Sequence, residues 1–223
     1  MSPEDYYRRQ IELWGETVQR TLASRRIAII GCGGLGSSLA LALGGSGIGT
    51  IDVVDFDTVA PHNLHRQIAF EVADEGLPKA EVVARRMRAR NPFVRAESFA
   101  VDFDTFAKRA SGYDLLLDAT DNLSVRRSMD AWAHREGIPW VYGSVEAFHA
   151  QVCLFEQADF GAFGSAEHTP AGIAAPMVMQ AASLQANLAL RYLAGLPVKK
   201  DTLYYLTFDS EGAPSIRTFA LSV

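Results

Sequence analysis

The sequence predicts an α/β fold, an open and mostly parallel sheet with helices on both faces and an antiparallel C-terminal extension. Three observations predict it. Short apolar runs alternate with amphipathic helical segments from about residue 26 to about residue 143. Polar clusters follow Ile30, Val54 and Leu117, at the carboxyl ends of three of those runs. The last residues, "TLYYLTFDSEGAPSIRTFALSV", read as a hairpin turning through "SEGAP".

The elements follow in order. Residues 4–23 place Tyr7, Ile11 and Trp14 at helical spacing, with Ser2 or Pro3 to open one helix. "RRIAIIGCGGLG" is a short β run ending in glycines, and "SSLALALGGSG" is a helix closed by Gly44, Gly45 and Gly47. "TIDVVDFD" is a second strand. "PKAEVVARRMRARNP" is an amphipathic helix stopped at Asn91-Pro92. "VRAESFAVDF" is a third strand, "FAKRASG" a short helix, and "YDLLLDATDN" a fourth strand with a polar end. "VRRSMDAWAHREG" is helical, and "IPWVYGSVEAFHAQVCLF" supplies two strands. "EQADFGAFGSAEHTPAGIAAP" has no period and reads as a loop, before the long apolar helix "PMVMQAASLQANLALRYLAG". The 223 residues fit one domain, divided as an N-terminal helix (1–24), a nucleotide-binding core (25–143) and a crossover loop, helix and strands (144–223).

Bulk composition narrows the functional classes. Hydrophobic residues make up 48% and charged residues 21%, as in ordinary globular chains. The net charge of −5 argues against a nonspecific nucleic-acid binder. No apolar run is long enough to span a bilayer, and "MSPEDYYRRQIELWG" is not a signal peptide. Of the two cysteines, Cys32 lies inside the Gly-rich turn, where pairing with Cys153 is improbable. Two lone thiols suit a reducing compartment, so a cytoplasmic location without membrane attachment is expected.

Gly31, Gly33 and Gly36 form G-x-G-x-x-G between a strand and a helix, a Rossmann-like arrangement. Glycines let the backbone approach phosphates, and helix N-terminal amides bind the anion. Asp55 follows Gly36 by 19 residues, where a carboxylate can accept from ribose hydroxyls. Gly34 and Leu35 fill the free positions of the fingerprint. A glycine turn without a ligand is the plainer alternative, and Cys32 reads as a small buried filler rather than a nucleophile.

The stretch "DFDTVAPHNLHRQIAF" then places Asp57, Asn63, Arg66 and Gln67 beside that turn, and Lys79 opens the next helix. Two cations near a nucleotide suit phosphorus chemistry, whereas hydride transfer creates no charge at the phosphates. The competing readings are a surface salt bridge for Arg66 and a solvated helix start for Lys79. In "LLLDATDN", Asp121 is the candidate Mg²⁺ ligand; Asp118 is an alternative buried hydrogen-bonding partner, and Asn122 a cap. Arg126 and Arg127 read as solvated helix charges.

"GCGGLGS", "DFDTVAPHNLHRQ", "LPKAE" and "DATDN", in this order, resemble the MoeB/ThiF/HesA group, bacterial relatives of ubiquitin-activating enzymes. The likeness runs from "YYRRQIELWG" to "AGIAAPMVMQAASLQANLALRYLAG". It implies ATP and Mg²⁺, and adenylation of the C-terminal glycine carboxylate of a small ubiquitin-like sulfur-carrier protein of the ThiS/MoaD type, with release of pyrophosphate. A sulfur donor then yields the thiocarboxylate. By this likeness Gly33, Gly34 and Gly36 match the nucleotide loop, Asp55 the ribose acid, and Asn63, Arg66 and Lys79 the phosphate-facing groups. Asp121 matches the Mg²⁺-linked acid. With these, Gly31, Asp57, Gln67 and Asn122 complete the expected nucleotide-binding set. Arg9 matches an arginine that reaches the partner subunit's ATP site, which implies a homodimer; the residues alone favour an ordinary helix-surface charge. No general base is required, because a carboxylate is already ionised near pH 7, and His62 and His65 read as loop residues.

The chain also departs from the family. Many relatives hold a structural zinc with two C-x-x-C pairs; this chain has none, Cys153 has no cysteine partner at ligand spacing, and His168 lies in the loop. No structural zinc is expected. The segment from Glu156 to Pro176 has no cysteine, so a thioester there is not expected and sulfur must come from a separate donor. The alternatives are an NAD-binding oxidoreductase, an inactive half of a heterodimer, and adenylation of a carboxylate on modified tRNA or a peptide.

Overall fold

The computed structural model describes residues 1–163 and 172–222. Its strands are β1 (Arg26–Ile30), β2 (Thr50–Val54), β3 (Arg95–Phe99), β4 (Leu115–Asp118), β5 (Trp140–Glu146), β6 (His149–Phe155), β7 (Thr202–Phe208) and β8 (Pro214–Ala220). They form one sheet in the order β3-β2-β1-β4-β5-β6-β7-β8. The pairings of β1, β2, β3, β4 and β5 are parallel, and those from β5 through β8 are antiparallel. The helices are α1 (Pro3–Tyr6), α2 (Arg8–Ala23), α3 (Gly34–Gly44), α4 (Lys79–Arg90), α5 (Phe103–Ala107), α6 (Leu123–Glu136) and α7 (Ala175–Leu193).

Strand alternation sorts the apolar residues into two layers. From β1, Ile27 and Ile29 enter the core shared with α3, α4 and α7. Ala28 and Ile30 enter the core shared with α5 and α6. Leu115 and Leu117 of β4 join the first layer and Leu116 the second. Both faces are covered, which is why these strands read as unbroken apolar runs. Leu35, Leu39 and Leu43 recur every four residues along α3 and are all buried. Each such leucine contributes about 1.5–3 kcal/mol of transfer free energy.

Connectivity places the site. The chain moves from β1 outward to β2 and β3, then crosses to β4 on the other flank of β1. The connections on the two flanks leave in opposite directions, which opens a crevice at the carboxyl ends of β1 and β4. Gly31 bonds to the Val54 carbonyl at 2.8 Å, and the Ala119 amide bonds to Ile30 at 2.8 Å. Gly31 adopts φ +95, and a Cβ there would lie 2.6 Å from the Ala119 carbonyl oxygen. A Cβ on Gly36 would lie 1.9 Å from the carbonyl oxygen of Gly31. Turn, helix and strand meet with no room for a methyl group.

Three expectations are corrected by the structure. The single N-terminal helix is two: Tyr7 separates α1 from α2, and Gly15 breaks α2 with φ 84 and ψ 162. The break turns Trp14 so that its indole donates to Gln19, which also receives Gln10. Ser2 caps α1, with Pro3 at its first position. The helix expected in "FAKRASG" starts earlier, at Phe103, because the Asp102 carboxylate accepts the Thr105 amide and caps it there. The segment read as a loop between Glu156 and Pro176 includes a 3-10 turn at Phe160–Phe163, and α7 begins inside its end. That turn is anchored by Asp130, which accepts from the Phe160 amide and the Trp140 indole.

Two expected outcomes follow from these contacts. Gly36→Ala should cost about 2 kcal/mol or more of unfolding free energy in urea, because the neighbour is backbone and cannot swing away; an unchanged midpoint would refute the close packing. Asp74, 3% exposed, receives the Glu71 amide and the guanidinium groups of Arg85 and Arg86. Burial pushes its carboxyl up, but the Glu71 amide and Arg86, then Arg85, outweigh burial and hold it below the ordinary carboxylate range. The unfolded chain therefore protonates first as pH falls. The contribution of Asp74 is present above about pH 4 and is lost as pH drops through its folded value. Asp74→Asn should lower the urea midpoint at neutral pH and reduce its loss in acid; an equal acid loss in both proteins would count against this.

Candidate active site

The floor of the site is the glycine turn. The Cys32 amide donates to Asp55 Oδ2 at 2.6 Å, and Asp55 Oδ1 accepts the Asp57 amide at 2.8 Å. Asp55 thus locks the turn after β1 to the end of β2. Burial raises its pKa against the opposing effect of the two amides and Lys79. Gly33 caps α3 without a side chain, so the first-turn amides of the helix face the turn uncapped. Gly34 touches α7: a Cβ there would lie 2.9 Å from Val178.

Lys79 forms the next tier. It is the first residue of α4, and its side chain is 7% exposed. Its ammonium meets Asp57 Oδ2 at 2.9 Å, and that aspartate is 52% exposed. Lys79 acts electrostatically on both Cys32 and Asp55, which puts its charge at the glycine turn. A solvated helix start is excluded.

Asn63, Arg66 and Gln67 form a third group on one turn. The Asn63 carbonyl accepts the amides of Arg66 and Gln67, and its side chain accepts the Ala60 amide at 3.3 Å. The turn sets the Gln67 amide beside Gly33, 3.6 Å from where a Cβ would stand. Gln67 is 4% exposed, and among the described residues its Oε1 has no hydrogen-bond partner. Arg66 is half-buried, with its guanidinium on the His62 carbonyl at 3.2 Å and near His65 at 3.4 Å. Among the described residues it makes no ion pair with a carboxylate, so the surface salt-bridge reading is set aside.

The β4 turn divides its acids. Asp118 is fully buried and accepts the Thr120 amide and hydroxyl on Oδ1 and Arg126 Nε on Oδ2. Asp121 is exposed. Asn122 caps α6 by accepting the amides of Ser124 and Val125. The reading of Arg126 as a solvated charge is overturned: it is 6% exposed, and it also donates to the Thr120 and Gly143 carbonyls. Burial alone would lower its pKa, but Asp118 raises it further, so it stays charged. Arg127 is exposed, as expected. The missed signal was spacing, because Arg126, Met129 and Ala133 fall on one buried helical stripe. Gln185, buried on α7 and donating to the Asp118 carbonyl at 2.7 Å, had no sequence signal at all.

Arg9 is not brought to this site. Its neighbours Tyr7 and Gln10 contact Asn91 and Ser46, at the carboxyl ends of α4 and α3. Those ends lie at the opposite edge of the sheet from the glycine turn. Arg9 itself is exposed and pairs with Glu12 at 2.9 Å.

Both cysteines are buried. Burial first, then Asp55, drives the Cys32 thiol well up, and burial raises Cys153 to about 12. Neither is a thiolate near neutrality. His168 lies outside the described residues. Among the described residues, no helix is long and apolar enough to cross a membrane.

The ThiF family model matches residues 7–222. The molybdopterin-synthase adenylyltransferase of Salmonella typhimurium is 32% identical over 215 residues, covering 89% of this chain and 86% of that protein. The sulfur carrier protein ThiS adenylyltransferase of Escherichia coli is 30% identical, covering 80% of this chain and 76% of that protein. In structure, E. coli MccB with MccA-N7isoASN superposes with a TM-score of 0.88 at 20% identity, over 99% of this chain and 74% of that one. That last likeness speaks to fold alone, an α/β Rossmann-type sheet. None of these relatives favours the oxidoreductase alternative. The chain belongs to the ThiF family and is an adenylyltransferase.

Proposed function

We propose that this enzyme adenylates the C-terminal glycine carboxylate of a small ubiquitin-like sulfur-carrier protein. Pyrophosphate is released, and a separate donor of sulfide-level sulfur then attacks the acyl carbon, breaking its bond to the phosphate oxygen and expelling AMP, to leave the thiocarboxylate. The observation that carries the reading is Lys79. A cation at the first residue of a helix sits at the wrong end of the helix dipole. Here it is also nearly buried, and among the described residues its ion-pair partner, Asp57, is half in solvent, while Asp55 interacts with it electrostatically. Such a charge is poorly compensated until an anion arrives. The uncapped amides of α3 and the side-chain amide of Gln67 lie at the same glycine turn, and among the described residues Arg66, on the turn that carries Gln67, makes no ion pair with a carboxylate.

The chemistry follows from the charges. A carboxylate oxygen attacks the α-phosphorus, and the bond from that phosphorus to the bridging oxygen breaks. Pyrophosphate leaves with the electron pair. Two anions must approach, so Lys79 and Arg66 lower the repulsion and stabilise the developing charge. The glycine turn at Gly31, Gly33, Gly34 and Gly36 takes phosphate oxygens, and Asp55 keeps lone pairs for ribose hydroxyls. Asp121 would hold Mg²⁺; one exposed carboxylate fits an ion that keeps waters and draws its other ligands from phosphate. Bound there, the ion would add positive charge beside the phosphates. Arg9 would act from a second copy of the chain, because its own site lies at the far edge of the sheet. The names of the Salmonella and E. coli relatives support the carrier as substrate.

ATP–pyrophosphate exchange against a panel of carriers ending in Gly-Gly tests this, with a tRNA and a peptide carboxylate as parallel arms. Exchange driven only by one of those arms, or by none, would sink the carrier assignment. Asp121→Ala should lower exchange by on the order of 10²-fold or more with the fold intact; normal exchange would remove Asp121 from its role. Arg9→Ala and Arg66→Ala should each be inactive, and an equimolar mixture should recover about a quarter of wild-type activity, because half the dimers then hold one intact composite site. A mixture no better than its parts would leave Arg9 a surface charge.

A further inference from the structure

Asp121 takes its direction from the turn that carries it, and that turn is held from below by a buried cation. Arg126 reaches three groups at once. Its Nε donates to Asp118 Oδ2 at 2.9 Å, and its Nη2 donates to the Thr120 carbonyl and, at 3.0 Å, to the Gly143 carbonyl. Its Cζ lies 5.0 Å from the centre of the Tyr142 ring. Asp118 returns the hold by accepting the Thr120 amide at 2.9 Å and hydroxyl at 2.7 Å. On the far side, Gln185 of α7 donates to the Asp118 carbonyl at 2.7 Å. Its carboxamide fills the space beside Gly143, within 2.5 Å of where a Cβ would stand.

Both chain neighbours of Asp121 are thereby fixed. Thr120 is held at its amide, hydroxyl and carbonyl. Asn122 is held by the two amides it caps. Asp121 between them is exposed, and among the described residues its carboxylate takes no hydrogen bond or ion pair, though it acts electrostatically on Arg126. A buried ion pair is a poor source of net stability, because desolvation offsets most of the attraction and an apolar pair of the same shape does as well. An apolar side chain at 126 would leave the Thr120 carbonyl without this donor. What the guanidinium adds over such a pair is geometry: a rigid planar fork spanning a carboxylate and two carbonyls on different elements.

We infer that Arg126 is a positioning residue for Asp121, fixing the Thr120 carbonyl and so the direction in which the Asp121 carboxylate faces the site. Its effect on Mg-ATP rests on the function proposed above; its hold on the turn does not.

Arg126→Lys separates the roles, since it keeps a charge for Asp118 but cannot span both carbonyls. Hydrogen exchange of peptides covering residues 117–123 should accelerate by on the order of tenfold, with β1 and α3 unchanged. In pyrophosphate exchange, kcat should fall about tenfold or more while the KM for ATP stays within about twofold, and half-saturating Mg²⁺ should rise by about threefold or more. A folded Arg126→Lys protein with wild-type amide exchange overturns the inference. So does one with faster amide exchange but unchanged kcat and Mg²⁺ requirement. If Arg126→Lys does not fold, the neutral pair Asp118→Asn with Arg126→Gln is read by the same measures. If the wild-type protein shows no pyrophosphate exchange, the functional reading falls, and the amide exchange of the variants still decides whether Arg126 holds the turn.

Discussion

Everything in the site hangs on how closely the end of β1 approaches the end of β4. Gly31 sits against the Ala119 carbonyl, and Gly36 sits against the carbonyl of Gly31. A side chain at Gly36 would push α3 away from the sheet, and one at Gly31 would push away the turn after β4. With none there, the first turn of the helix, the turn after β1 and the turn after β4 share one small volume. That brings Asp55, Gln67, Lys79 and the 118–122 turn around the same crevice, although they come from four separate stretches of chain. The sheet order makes the crevice, and the glycines let the backbone line it.

Charge inside this crevice is treated in two different ways. Arg126 is saturated: one carboxylate oxygen, two carbonyls and an aromatic ring surround it. Nothing about it awaits a ligand, and its work is to hold other groups. Lys79 is equally buried but rests on one exposed carboxylate at a helix start. Arg66 has a carbonyl and a histidine ring for company. Burial alone does not separate a structural cation from a functional one. The number and exposure of its partners does.

Most of the sheet was legible because parallel strands buried on both faces are largely apolar, and residues 27–30 and 115–117 are wholly so. The glycine fingerprint, Asp55 and the C-terminal hairpin were legible for similarly local reasons. What failed was whatever depended on distant partners. The single helix expected over residues 4–23 breaks at Gly15, where the Trp14 indole meets Gln19. Arg126 looked solvated because two arginines in a helix usually are, and its three acceptors lie on β4, its exit turn and β5. Gln185 is 67 residues from the carbonyl it meets. Asp57 reads as one of the nucleotide-binding acids of "DFD", but its ion pair with Lys79, 22 residues on, had no sequence signal.

The cysteines bear on where the chemistry stops. The chain has two, and both are buried, Cys32 under the nucleotide turn and Cys153 in the middle of β6. Desolvation keeps both protonated at neutral pH, so neither offers the thiolate that a thioester with the carrier would need. Exposing Cys153 would mean opening β6 between β5 and β7, which breaks two ladders of the sheet. Exposing Cys32 would break the Asp55 bond that shapes the turn. Neither of these two cysteines therefore offers a nucleophilic sulfur at the crevice. This supports the proposal that the sulfur comes from a donor other than Cys32 or Cys153.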